Sequence, residues 1–367
     1  MYLNKKIIAA AMLALVASAC SKSADSGNSS SLFGGYDQTA MLNNIGNNIL
    51  LAGINNLSSS AAAATTAINA FTANPTANTL TAAQNAWAAL AQNWGSSASF
   101  SFGPLNDNLI AANVDTWPAN PAKIEAAVNS NANAASIGAD TKGLKGLEYL
   151  LFDQNGNAAV LAKYTGIGAV NRSAFLNSVT QELTSQLTSL QSKWNSGYLN
   201  AFENAKGNDV SSSTSQVVNA ISLYLDEVKN MKIGNPIGMG VKVNDNQPHP
   251  DLIEYKLAEQ SLPVMKANVQ AMKAAFDGGT GQGLDDLLNY TKAQKNGTNL
   301  STLVDNQFDD VISKINLVNA PYATAVGTQK QQLQSVFSSL KTLIAYFKVD
   351  VANNLGVTIT FSDTDGD

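Results

Sequence analysis

Apolar side chains recur every three or four residues along almost the whole of this chain, and that spacing admits helices and little else. In TAAQNAWAALAQNW, Trp87, Leu90, Ala91 and Trp94 fall at i, i+3, i+4 and i+7, one face of a helix. Over residues 172–206, Leu176, Val179, Leu183, Leu187, Leu190 and Trp194 continue the step, which predicts one long amphipathic helix. Leu333, Val336, Phe337, Leu340, Ile344, Phe347 and Val351 repeat it near the end. Further helices are expected over residues 38–70, 213–232, 251–276 and 300–318. Only VTITF, residues 357–361, alternates as a strand would. Pro75, Gly103-Pro104, Trp117-Pro118, Gly207-Asn208 and the IGNPIGMG stretch punctuate the pattern. Helices of this length can bury their stripes only against one another. The expected fold is therefore all-α, with two helical bundles packed together over residues 36–206 and 207–367.

The amino terminus has a different character. MYLNKKIIAAAMLALVASAC carries Lys5 and Lys6, an apolar run from Ile7 to Val16, and small residues before Cys20. That is the layout of a secretory signal over residues 1–19, too short for a permanent span. Ala17-Ser18-Ala19-Cys20 resembles a bacterial lipobox, so Cys20 is expected to become a lipidated terminus on the cell envelope. It is the sequence's single cysteine, and no intramolecular disulfide can form. Residues 20–35, rich in Ser and Gly, read as a flexible tether reaching about 20 Å. The expected location is the bacterial cell envelope, at the periplasmic face or the cell surface.

Charge excludes one class of function. Only 13% of residues are charged, the formal net charge is −5, and Arg172 is the one arginine. Nucleic-acid binding requires clustered cations that displace counterions from phosphates, and none is present.

The stretch with most chemical content is TKGLKGLEYLLFD, residues 141–153, in which Glu148 sits inside an apolar run. It belongs to a series: AWAALAQNW and FGP, then DTWP (115–118), GLKGLEYLLFD, KIGNPIG (232–238) and LGVTITFSDTDGD. Together these resemble the imelysin family of bacterial envelope proteins, classed among metallopeptidases. The resemblance implies an all-helical body of two bundle-like halves, with a site around the motif helix near where the halves meet. The family signature reads Gly-x-His-x-x-Glu; this chain has Gly143-Leu144-Lys145-Gly146-Leu147-Glu148.

The departure at Lys145 changes the chemistry. Residues three apart share a helix face, so a His and a Glu at this spacing could serve one ion or one proton. A lysine ammonium offers three donors and no lone pair, and it repels a cation. Direct metal ligation by the motif is therefore expected to be lost. Two readings of Gly143, Lys145 and Glu148 stay open: a retained site for an anion, a carbonyl or a chelated ligand, or an ion pair across a helix or domain contact. A restored metal site would have to draw on Glu148 and the single histidine, His249, with carboxylates brought from afar. A histidine between Pro248 and Pro250 is more often a solvated turn residue.

The resemblance also points to Glu254, in EYKLAEQSL, as lying on a helix of the second half; an exposed helix acid is the alternative. Trp117 either lines a cleft or plugs the core. Residues 363–367, DTDGD, end before the later ligands of a calcium loop, which excludes an EF-hand. The residues themselves call for no cofactor; iron or another divalent metal is what the resemblance leaves open. Expected partners are the membrane, through Cys20, and iron-uptake components of the envelope. Three functions follow. The first is a ligand-binding or accessory lipoprotein of iron or haem acquisition. The second is a metallopeptidase with an atypical site, against which the absent histidine counts. The third is a structural or assembly lipoprotein.

Overall fold

The computed structural model describes residues 33, 35–106, 109–319 and 321–361. The signal sequence, Cys20, most of the tether and residues 363–367 lie outside the described residues.

The chain enters on α1 (Thr39–Asn43), which runs through a π-helical stretch, Asn44–Leu51, into α2 (Ala52–Ala73). Thr76 then starts α3 (Ala77–Ala98) with a reciprocal cap: its hydroxyl accepts from the Thr79 N–H, and the Thr79 hydroxyl accepts from the Thr76 N–H. Four short helices follow, α4 (Ile110–Val114), α5 (Pro121–Ser130), α6 (Gly143–Leu151) and α7 (Asn157–Thr165), before the long α8 (Ala169–Lys193) and the short α9 (Leu199–Asn204). Here α2 packs on α3 and α8, and α6 lies against both α3 and α8.

The second set begins with α10 (Ser213–Glu227), prolonged by a π-helical stretch, Val228–Gly234. After it come α11 (Ser261–Asp277), α12 (Leu284–Tyr290), a hairpin of β1 (Gln294–Lys295) and β2 (Thr298–Asn299), then α13 (Leu300–Asn316), α14 (Tyr322–Thr328), α15 (Lys330–Ala345) and α16 (Ala352–Leu355). Helix α13 packs on α11 and α15, and α10 on α15. The two sets meet where α11 lies along α3. At that crossing Asn268 Nδ2 donates to Gly95 O at 2.6 Å, and a Cβ on Gly95 would stand 3.0 Å from Val264 Cγ1. One continuous apolar cluster runs through both sets.

The predicted stripes are the buried faces: Trp87, Leu90, Ala91 and Trp94 are all buried, as are Leu176 through Trp194 at their stated steps. Three expectations need correction. The helix expected over 172–206 is interrupted by a π turn, Trp194–Tyr198, where Gly197 takes φ 145°. The helix expected from residue 251 starts at Ser261 instead. Tyr255 (φ 52°) and Glu259 (φ 54°) adopt left-handed backbone that no α-helix accommodates, so 254–259 is a run of turns. VTITF forms no strand; Asn219 takes its backbone instead, donating to Thr358 O and accepting from the Thr360 N–H.

Candidate functional site

Gly143 decides how α6 meets the rest of the molecule. Its φ is +66°, and a Cβ there would lie 2.4 Å from Val114 O and 2.7 Å from Asn113 O. The motif glycine is thus a close-approach residue, letting the start of α6 press on the backbone just before Asp115. Gly143→Ala is expected to destabilise the protein by about 2 kcal/mol and to shift Asp115. Urea denaturation measures the first effect; the indole N–H resonance of Trp94, which donates to Asp115 Oδ2 at 2.9 Å, reports the second.

One turn into α6, Lys145 is 2% exposed. Its ammonium lies 3.3 Å from Asp115 Oδ1, 3.5 Å from Glu254 Oε2 and 2.9 Å from the centre of the Tyr255 ring. Asp115 is fixed from its other side by Trp94 Nε1 and by the Tyr255 hydroxyl, which donates to Oδ2 at 2.7 Å. Asp115 Oδ1 has no hydrogen-bond donor and relies on the ammonium. Glu254 has a second cation, Lys232 Nζ at 2.7 Å. Burial alone would raise the Glu254 carboxyl, but Lys232 and Lys145 hold it down to about 2. Burial would likewise lower the Lys232 ammonium, and Glu254 instead carries it well above the usual lysine range. Both are charged at neutral pH.

Glu148 faces differently. It is 6% exposed and accepts the Ala258 N–H at 3.1 Å. Burial pushes its carboxyl up to about 7, opposed by Lys145 and by backbone N–H groups of the 257–258 turn. No hydrogen bond or ion pair joins Lys145 to Glu148 among the described residues; of the two open readings, the ion pair across a contact takes the form of Lys145 with Asp115 and Glu254. Each reaches across to the turn carrying Glu254 and Ala258, and both are packed away from open space.

Open space lies beside them. A cleft of about 230 Å³, lined by Trp94, Asp115, Tyr224, Glu227, Lys232 and Glu254 among others, adjoins one of about 390 Å³. The second is lined by Trp117, Leu223, Asn230, Met231 and Lys242, and shares Asp115, Glu227 and Glu254 with the first. Trp117 is half-buried with Lys242 Nζ 5.5 Å from its ring centre, which makes it a cleft wall, not a core plug. Glu227, at the end of α10, opens on both parts. Protein crowding about the cleft floor holds its carboxyl above the ordinary range; Lys232 opposes this, and Glu254 and Asp115 add to it.

The structure therefore gathers Lys145, Glu254 and Gly143 at one point, with Glu148 behind and Trp117 at the rim. Glu254 is neither helical nor an exposed acid: its side chain is 14% accessible. His249 is elsewhere, with Nε2 2.9 Å from Asp245 Oδ1. The donors do not fit a resident zinc or iron. The Lys145 ammonium already stands between Asp115 and Glu254, Lys232 pairs with Glu254 as well, and no group of three His, Cys, Asp or Glu among the described residues is placed to hold an ion. Sequence reasoning missed Asp115, Glu227 and Lys232. Asp115 and Lys232 open two of the quoted motifs, DTWP and KIGNPIG, and that coincidence was the available signal; Glu227 had none.

Comparison with known proteins bears on family and fold. The family model Imelysin (Peptidase M75) matches residues 50–345. No curated protein matches the sequence. Among solved structures, a protein of Parabacteroides distasonis ATCC 8503 described as an iron-regulated protein A precursor is similar at TM-score 0.72 and 18% identity, over 87% of this chain and 95% of that one. An imelysin-like protein of Psychrobacter arcticum 273-4 is similar at TM-score 0.70 and 16% identity, over 88% and 98%. At such identities the likeness is one of fold.

Proposed function

The chain belongs to the imelysin family, and on that premise we propose that it is a lipid-anchored envelope protein that binds a ligand, or assists its handling, in iron or haem acquisition and does not cleave peptides. The observation that carries this reading is the ammonium of Lys145, set between Asp115 and Glu254 where a catalytic cation would have to sit. Carboxylates neutralised in this way cannot activate a metal-bound water. The single histidine is paired with Asp245, which leaves no nucleophile with an imidazole base near the cleft. What remains is a preformed recess with a charged floor and an aromatic wall, the usual form of a binding site.

Iron is supported by the description of the Parabacteroides protein, and the envelope by the lipobox-like junction at Cys20. A deletion strain grown under iron limitation tests the role. Wild-type complementation is expected to restore growth and Trp117→Ala to fail while accumulating normally; growth of the deletion strain equal to wild type would reject it. Anchoring has its own test. Cys20→Ser is expected to move the protein from the membrane to the soluble fraction.

A further inference from the structure

The charges around the cleft are arranged so that they cancel. Four carboxylates line its two parts, and three of them already have a lysine. Asp115 has Lys145 at 3.3 Å, Glu254 has Lys232 at 2.7 Å, and Asp226 has Lys229 at 3.4 Å. The fourth, Glu227, has no hydrogen bond or ion pair among the described residues. Lys242 has no ion pair among them either, and its ammonium lies 5.5 Å from the centre of the Trp117 ring. Both side chains are exposed. The two unpaired charges are opposite in sign, so an ion entering the cleft would meet a like charge along with its counter-charge and would give up its own hydration.

Hydrogen-bonding capacity is left over at the floor. Tyr224 is 9% exposed; its hydroxyl accepts from Asn268 Nδ2 at 3.4 Å and has no acceptor for its own proton among the described residues. The charges acting on that hydroxyl place it among the cleft residues. Burial raises it well above the ordinary tyrosine range, Lys232 opposes this, and Glu227, Glu254 and Asp115 add to it. Lys232 is buried and uses one of its three N–H donors, on Glu254. Two donors and the free Glu227 carboxylate thus line one space of about 230 Å³. Buried donors without partners are unfavourable, so groups from outside the chain that both accept and donate fit here. A hydroxyl does both; a carbonyl or an ammonium does only one.

The adjoining space, about 390 Å³, adds apolar surface from Trp117, Leu223 and Met231. Together the two parts lie within the roughly 300–1,000 Å³ usual for small-molecule sites.

We propose that the cleft binds a neutral saccharide of one or two rings, with hydroxyls that accept from Tyr224 and Lys232 and donate to Glu227, and with the apolar face of a ring against Trp117 and Leu223. The proposal rests on the reading of the cleft as a binding site and gives its ligand a chemical class.

Calorimetric titration of the full chain tests it, using glucose, galactose, mannose and cellobiose, with the amino sugar and the uronate of each monosaccharide as charged counterparts. At least one neutral sugar is expected to bind, and its amino sugar and uronate at least fivefold more weakly. Trp117→Ala and Tyr224→Phe are each expected to weaken binding about tenfold, with circular dichroism and the urea midpoint confirming the fold. Glu227→Gln leaves Lys242 unbalanced, so the uronate should then bind better than the amino sugar; Lys242→Gln should reverse that order. Absence of binding by all four neutral sugars overturns the proposal, as does binding unaffected by both Trp117→Ala and Tyr224→Phe. A charged counterpart that binds wild type as tightly as the neutral sugar overturns it too. If no sugar binds while Trp117→Ala still fails to complement growth under iron limitation, the ligand class is wrong and the binding role stands. Complementation by Trp117→Ala rejects the binding role itself.

Discussion

Lys145→Met is expected to destabilise the folded protein by about 3 kcal/mol at neutral pH, read as a fall in the urea midpoint at unchanged slope. Methionine keeps most of the volume of the lysine stem, so packing is conserved and the charge is lost. Removing one partner of a buried ion pair typically costs about 3–5 kcal/mol, because the remaining charges stay buried. The lower end applies here: Glu254 keeps Lys232, and Asp115 keeps Trp94 and Tyr255. Asp115 Oδ1 has no such substitute and should account for most of the loss. Adding Asp115→Asn to the methionine variant is therefore expected to recover part of the stability, a coupling that a double-mutant cycle isolates. A methionine variant as stable as wild type would mean that the ammonium is not needed between the two carboxylates.

Glu148→Gln should act in the opposite direction and only at higher pH. The Glu148 carboxyl titrates near 7 in the folded protein, against an ordinary value of 4.5. Below pH 4.5 both folded and unfolded chains hold the proton, and the charge costs nothing. Between 4.5 and 7 the unfolded chain releases its proton while the folded chain keeps it, so stability falls as pH rises. Above 7 both are ionised and the deficit is constant. At about 1.4 kcal/mol per pH unit the deficit approaches about 3.5 kcal/mol. Glutamine still offers an oxygen to the Ala258 N–H and has no proton to lose. The variant should match wild type at pH 4 and exceed it by up to about 3.5 kcal/mol at pH 8, measured by urea denaturation across the range. Since Lys145 is the main group holding Glu148 down, the methionine variant should push this transition still higher.

The helical stripes were legible because each buried position follows from spacing alone. Leu333, Val336, Leu340 and Phe347 are buried as their period requires. The family and the all-helical fold were legible from the conjunction of motifs, and family matching and structural likeness agree with both. The π turns were not legible, since one extra residue per turn leaves the apolar step almost unaltered. The turns over 254–259 were misread for a related reason. Residues 254–262 are compatible with a helix, and only the left-handed backbone at Tyr255 and Glu259 reveals otherwise. That backbone is what turns Glu254 inward to Lys145 and Lys232. The motif pair was recognised as chemistry, yet its partners lie 30 and 109 residues away, at Asp115 and Glu254. A single sequence carries no record of such distances. The cleft residue Glu227 has no local signature at all.

The central claim is that the Lys145 ammonium holds the position between Asp115 and Glu254 that a metal cation would need. Calorimetric titration of the metal-free protein with zinc and with ferrous iron tests it most directly. No stoichiometric uptake at this site is expected. Uptake of one equivalent that disappears in both Asp115→Asn and Glu254→Gln would contradict it.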